Sequence, residues 1–152
     1  MAEPSSSSLN RDEIQKLIPH RPPFLWLDEV TDLQEKSLRA RTDIDPQLDL
    51  FQGHYPAFPV LPGVLQCEAA FQAGAVLIAR RFPPQTGQVP VVTRLNQVQF
   101  RRMVRPGETM DIEVELTEQL ANAYFLKARI SVAGQLAVRL EFACTLANPE
   151  QE

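Results

Sequence analysis

Apolar and polar residues alternate through most of the second half of the chain. Asp111 to Leu116 reads Asp-Ile-Glu-Val-Glu-Leu. Tyr124, Leu126, Ala128, Ile130 and Val132 share one face, against Phe125, Lys127, Arg129 and Ser131 on the other. After Gly134 the same period places Leu136, Val138, Leu140, Phe142, Cys144 and Leu146 together. A period of two over three consecutive runs predicts an antiparallel sheet with one covered face. Arg94–Phe100 predicts a further strand, with a turn at Pro106-Gly107. Upstream, Phe24–Val30 and Ser37–Ile44 predict two more strands. Between these groups the period changes. Val64–Phe82 reads as a helix apolar almost all round, whose polar side chains before Arg80 are only Gln66, Glu68 and Gln72. Such a helix belongs in the middle of a fold. Arg80 and Arg81 suit its C-terminal end, and Pro83-Pro84 ends it.

The N-terminal part is read from its punctuation. Residues 1–10 are polar, with a serine run from Ser5 to Ser8, and predict a flexible tail ahead of a single domain over 11–148. Asn10 caps a short helix over 11–18, with Glu13 completing a capping box, and Pro19, Pro22 and Pro23 stop it. Gly53–Gly63 reads GHYPAFPVLPG, three prolines bracketed by glycines. Each proline lacks a donor N–H, so this is a stiff, shaped loop rather than a helix or central strand. The expected fold class is α+β: a curved antiparallel sheet of about five or six strands wrapped around one long central apolar helix. A helix so apolar needs more cover than one small sheet gives, so two subunits are expected to pair.

Composition narrows the function classes. A chain of 152 residues is one domain, and 44% hydrophobic with 22% charged residues is the make-up of a soluble globular protein. No apolar run approaches the roughly 20 residues of a membrane span, and the N-terminus lacks the pattern of a secretory signal. Cys67 and Cys144 sit in apolar surroundings without a paired motif, which fits buried free thiols in a reducing cytoplasm. The net charge of −4 argues against general nucleic-acid binding. Between Val91 and Gly107, however, stand Arg94, Arg101, Arg102 and Arg105 and no acidic residue. This strip fits either an anionic partner or a solvated strand edge.

Few residues can carry chemistry. Of the two histidines, His20 lies between prolines beside Arg21 and reads as structural or solvent-facing, whereas His54 sits in the stiff loop just before the apolar helix and fits a general base. Glu68 is the only acid between Leu50 and Gln99, in a helix too apolar to tolerate a charge. Such a carboxyl must be paired, placed near a helix N-terminus, or protonated with a raised pKa. Gln72, four residues on, shares its face and can hydrogen-bond it. Free N–H groups around Gly63 and Val64 at the helix start can polarise a carbonyl oxygen, and Gly63 has no side chain to block approach. A base, an acid and carbonyl-polarising donors together describe removal of water from a β-hydroxy carbonyl compound. Two distant histidines do not make a zinc site, no phosphate loop or dinucleotide fingerprint is present, and Cys67 has no nearby base.

The segment GHYPAFPVLPGVLQCEAAFQ resembles the active-site segment of the β-hydroxyacyl-(acyl carrier protein) dehydratases, G-H-F-P-x-x-P-(V/I)-(M/L)-P-G-V-L-x-x-E-A-x-x-Q. HRPPFLWLDEV and FRRMVRPGE resemble two further motifs of that family, in family order, so the resemblance covers about Ile14 to Leu146. A glutamate rather than an aspartate in the helix is similar to the Z-type enzymes, which do not also isomerise the double bond. The resemblance implies a hot-dog fold, with His54 as the base at the α-carbon and Glu68 of the partner subunit as the acid at the hydroxyl. It implies Gly63 at the thioester oxygen and Gln72 supporting Glu68. It also implies a dimer or a trimer of dimers, no metal or organic cofactor, and a substrate carried on the phosphopantetheine arm of the acidic acyl carrier protein. For that partner Arg101, Arg102 and Arg105 are a candidate docking surface. Pro22, Tyr55, Ala57-Phe58, Met103 and Gln66-Cys67 depart from the family pattern. Tyr55, Phe58 and Val64 then join the expected substrate-binding residues, and acyl-chain length and head-group preference stay open. Alternative readings are the same dehydration in a specialised polyketide-like or aryl-polyene pathway, a hot-dog thioesterase, and a non-catalytic acyl-binding subunit.

Overall fold

The computed structural model describes residues 7–83 and 87–148. In chain order they form β1 (Ser7–Leu9), α1 (Arg11–Leu17), β2 (Glu29–Leu33), β3 (Ser37–Asp43), a 3₁₀ turn (Asp49–Gln52), α2 (Gly63–Arg81), β4 (Val89–Phe100), β5 (Thr109–Leu120), β6 (Ala123–Val132) and β7 (Gln135–Ala147). Among the described residues the strands make one seven-stranded sheet in the order β1-β2-β3-β5-β6-β7-β4, with every pairing antiparallel. The helix α2 lies on one face of it and is contacted from β3, β4, β5, β6 and β7.

The alternation does what period two requires. Met110, Ile112, Val114 and Leu116 of β5, the five even-numbered residues of β6, and Val138, Leu140, Phe142 and Cys144 of β7 are buried against the helix. On the outer face the ladder is ionic, with Arg39 at 3.1 Å from Glu113 and Lys127 at 3.9 Å from Glu141. The helix meets this core with small residues, Ala69, Ala70, Ala73 and Gly74. Gly74 marks the closest approach: a Cβ there would stand 2.8 Å from the Phe142 ring and 3.2 Å from Leu126. Between β6 and β7, Ala133 (φ 50°) and Gly134 (φ 79°) both take the left-handed conformation that a tight two-residue hairpin needs.

Several boundaries depart from those expected. Ser7–Leu9 is not part of a free tail but pairs with β2, while residues 1–6 lie outside the described residues. The predicted strand over Phe24–Val30 begins only at Glu29. Leu25, Trp26 and Leu27 are buried, yet the Trp26 N–H donates to a side chain of α2 and its carbonyl accepts from the Thr42 hydroxyl instead of joining a ladder. β4 starts earlier than predicted, at Val89, because Pro90 is tolerated on an edge strand. The capping box at Asn10 and Glu13 is formed with both bonds, at 2.9 and 3.1 Å. Cys67 and Cys144 are free and buried, and burial pushes the Cys144 thiol up to about 12.

Within the described sheet β4 pairs only with β7 and carries exposed Val91, Val92, Leu95 and Phe100. A long apolar edge strand is a template for pairing with another chain.

Candidate active site

The loop before α2 is held by its own backbone. The His54 N–H donates to the Leu50 carbonyl (3.0 Å), the Val60 N–H donates to the His54 carbonyl (3.0 Å), and the Leu61 N–H reaches Val104 (2.7 Å). The half-buried His54 ring places Nδ1 2.8 Å from the Val60 carbonyl oxygen. A carbonyl only accepts, so Nδ1 carries the proton, and in the neutral ring Nε2 is left with a free lone pair. That is the tautomer a general base needs. The Tyr55 ring stacks on His54 at 4.2 Å, and Phe58 lies under the Arg105 guanidinium at 5.3 Å; both aromatic residues are exposed.

Pro62 caps α2 without a side-chain hydrogen bond, and the Leu65 N–H turns back to its carbonyl at 3.0 Å. The N–H groups of Gly63 and Val64 therefore point out of the first turn without intrahelical partners. A Cβ on Gly63 would lie 2.8 Å from the Phe100 ring, so this aromatic residue of β4 packs directly over the helix start. The role of Phe100 is invisible in the sequence because it depends on a contact between distant segments.

Glu68 lies farther along α2 with its side chain 22% exposed. Burial pushes its carboxyl above the usual carboxylate range, and the Gln72 hydrogen bond pulls the other way. Gln72 is fully buried. Its Nε2 donates to Glu68 Oε2 (3.1 Å) and to the Phe24 carbonyl (2.9 Å), while its Oε1 accepts from the Trp26 N–H (2.8 Å). One amide thus fixes the acid and buckles the segment after α1 onto the helix. Gln72→Leu keeps the volume but leaves the buried Trp26 N–H and the part-buried Phe24 carbonyl without their partner. Chemical denaturation is expected to show a loss of about 1–3 kcal/mol.

That buckle determines where His20 goes. Expected to be structural or solvent-facing, it instead brings Nε2 to 3.9 Å from Glu68 Oε2, with its side chain 23% exposed. Burial first, then the Arg21 charge, holds its pKa below the ordinary value. His20 and Glu68 line a cavity of about 260 Å³ whose other walls include Phe71, Val91, Val92 and Cys144. His54 and Gly63 are not among its walls. A larger hollow of about 700 Å³ lies on the ionic outer face of the sheet, among Arg39, Glu113, Lys127 and Arg129, away from all of these groups.

The arginine strip divides. Arg102 forks onto Glu108 at 2.7 and 3.2 Å, and Glu108 also accepts the Arg105 N–H at 2.7 Å, so the pair closes the turn between β4 and β5. This hydrogen-bonded pairing holds the Glu108 carboxyl below its usual range. Arg102, expected with Arg101 and Arg105 as a docking residue, is committed to the turn, and the latter two remain exposed.

The topology and the long helix are those of the hot-dog fold, as solved structures with low sequence identity bear out. The dehydratase heterocomplex ApeI:P from Xenorhabdus doucetiae superposes with a TM-score of 0.74 at 16% identity, over 91% of this chain and 93% of that one. A hypothetical thioesterase with coenzyme A from Streptococcus pneumoniae TIGR4 gives 0.62 at 9% identity, over 78% and 84%. The family model of the FabA-like domain matches residues 18–141, and the chain belongs to that family. It is 36% identical over 129 residues to the 3-hydroxyacyl-[acyl-carrier-protein] dehydratase FabZ of Clostridium perfringens, covering 85% of this chain and 92% of that protein. It is 38% identical over 141 residues to the FabZ of Anaeromyxobacter sp. strain K, covering 91% and 90%.

Proposed function

We propose that this protein is a hydro-lyase of fatty acid biosynthesis. It converts (3R)-hydroxyacyl-acyl carrier protein to the trans-2-enoyl thioester. The observation that carries this reading is the Glu68 carboxyl, half-buried, raised in pKa and fixed by Gln72, in a chain over a third identical to FabZ dehydratases.

The chemistry follows from the groups described. His54 Nε2 removes a proton from the α-carbon. The N–H of Gly63, with that of Val64 beside it, stabilises the negative charge that develops on the thioester oxygen. Glu68 delivers its proton to the β-hydroxyl, which leaves as water while the α–β double bond forms. Base and acid end one proton richer and one poorer, and exchange with solvent resets them. The reaction calls on no metal and no organic cofactor.

Two copies complete the site in this reading, with His54 from one subunit and Glu68 from the other. Support comes from the absence of His54 from the walls of the Glu68 cavity and from the exposed apolar edge of β4. Dimers of this kind can assemble further, into a trimer of dimers. Phe58, Tyr55 and Val64 stand at the loop and helix start, where an acyl-pantetheine arm enters, and exposed Arg101 and Arg105 face the acidic carrier protein. The chain works in the cytoplasm, where its substrates are made.

The test is hydration of a crotonyl thioester, followed by loss of the enoyl absorbance. Hydration without thiol release is the expected result. Thiol release in its place would turn the assignment to a thioesterase, and an intact but inert protein across several acyl lengths would turn it to an acyl-binding subunit.

A further inference from the structure

Within the cavity that Glu68 lines, one polar side chain has no part in the reaction scheme above. We propose that His20 is a positioning residue for Glu68: its Nε2–H closes on the carboxylate that forms when Glu68 gives up its proton. The inference rests on the dehydratase reading for its kinetic consequence, but not for its geometry.

His20 Nδ1 is buried and, among the described residues, has no hydrogen-bond partner. Buried N–H groups left without an acceptor are rarer and costlier than under-satisfied lone pairs. The proton therefore belongs on Nε2, which faces Glu68 Oε2 at 3.9 Å. That separation is too long for a hydrogen bond to the protonated acid. A shift of about 1 Å, or one bridging water, turns it into a charge-assisted bond once the carboxylate is present. An interaction that strengthens as the acid loses its proton favours the transition state over the ground state.

The surroundings hold both partners in place. Arg21 anchors the segment by donating to the Ile18 carbonyl (2.9 Å) and the His20 carbonyl (2.7 Å), and Gln72 ties residues 24 and 26 to the helix. Within one chain, among the described residues, the titratable or charged groups facing the pair are Arg21 from its own segment and the Cys144 thiol of β7, which stays neutral, while β4 contributes only Pro90, Val91 and Val92. In the two-subunit site proposed above, the second copy adds its own His54 beside Glu68. Arg21 and the half-burial of the ring keep His20 a neutral donor rather than a cation.

The test compares wild type, His20→Phe and His20→Gln, the last restoring an N–H donor near the position of Nε2. In His20→Phe kcat is expected to fall about 10- to 100-fold, the worth of a hydrogen bond to a charge, with KM changed less than about twofold. The basic limb of its pH profile should move to higher pH, because the carboxylate has lost a donor. His20→Gln should recover most of kcat and return the limb toward the wild-type position. A carbon-13 titration of the Glu68 carboxyl, run on the same three proteins, reads the same shift without any substrate. Wild-type kcat in His20→Phe, or loss in both variants with an unmoved limb and an unmoved titration, would overturn the proposal. An inactive wild type whose Glu68 titration still moves in His20→Phe would leave the His20 contact standing and defeat the dehydratase reading instead.

Discussion

Glu68→Gln is expected to lower kcat by about 10²–10⁴, the usual weight of a positioned general acid, and to leave the protein more stable than wild type at neutral pH. Both effects come from one carboxyl. The amide keeps the shape of the side chain and can still bond Gln72, but it has no proton to give to a leaving hydroxyl. The stability sign follows from linkage. Burial raises the folded pKa of Glu68 above its unfolded value, so the contribution of the protonated form is complete below the unfolded pKa. It is lost as pH rises through the folded one. Glutamine carries no such loss. Thermal unfolding of the two proteins should coincide at low pH and separate above that window, with the variant higher. The same titration in the bound complex limits the rate, so wild-type dehydration should fall along its basic limb as Glu68 ionises. A variant less stable than wild type at every pH would show that the site does not strain the carboxylate.

His54→Ala is expected to reduce kcat/KM by a similar factor, about 10²–10⁴, with little change in the melting temperature. The Val60 carbonyl that accepts from Nδ1 loses its partner, but it lies in a half-open loop where water can replace the imidazole. A more pointed companion is His54→Asn, whose amide keeps a donor near the position of Nδ1 for Val60 and removes the basic lone pair. Equal losses in the two variants would assign the effect to proton abstraction. Recovery in His54→Asn would assign it to the shape of the loop.

Much of the molecule is legible in the sequence where a single physical demand dominates. In β5, β6 and β7 one face is covered and the other is wet, so period two survives intact and the core can be read position by position. The centre of α2 is legible for the opposite reason, because hardly any polar residue interrupts it. The lone Glu68 within it calls for a chemical explanation. Gln72 follows by helical spacing alone.

Legibility ends where a segment takes its hydrogen bonds from a distant side chain. Phe24 to Leu27 has the apolar density of a strand, and periodicity cannot distinguish that from a buried connection. Only the two bonds from Gln72 to Phe24 and Trp26 reveal which it is. Ser7–Leu9 has the composition of a tail and is a strand because β2 offers it an edge. His20, between prolines, gives no local hint that it will be folded back onto Glu68. Arg102 cannot be separated from Arg101 and Arg105 until Glu108 is seen to claim it.

The most direct test of a dehydratase site shared between two subunits mixes two inactive proteins. Equal amounts of His54→Ala and Glu68→Ala subunits, refolded together, form half mixed dimers if pairing is random. Each mixed dimer carries one intact site and one doubly damaged site, so crotonyl-thioester hydration should return to about a quarter of the wild-type rate. No recovery, with mixed dimers verified by mass, would contradict a site built from His54 of one chain and Glu68 of the other.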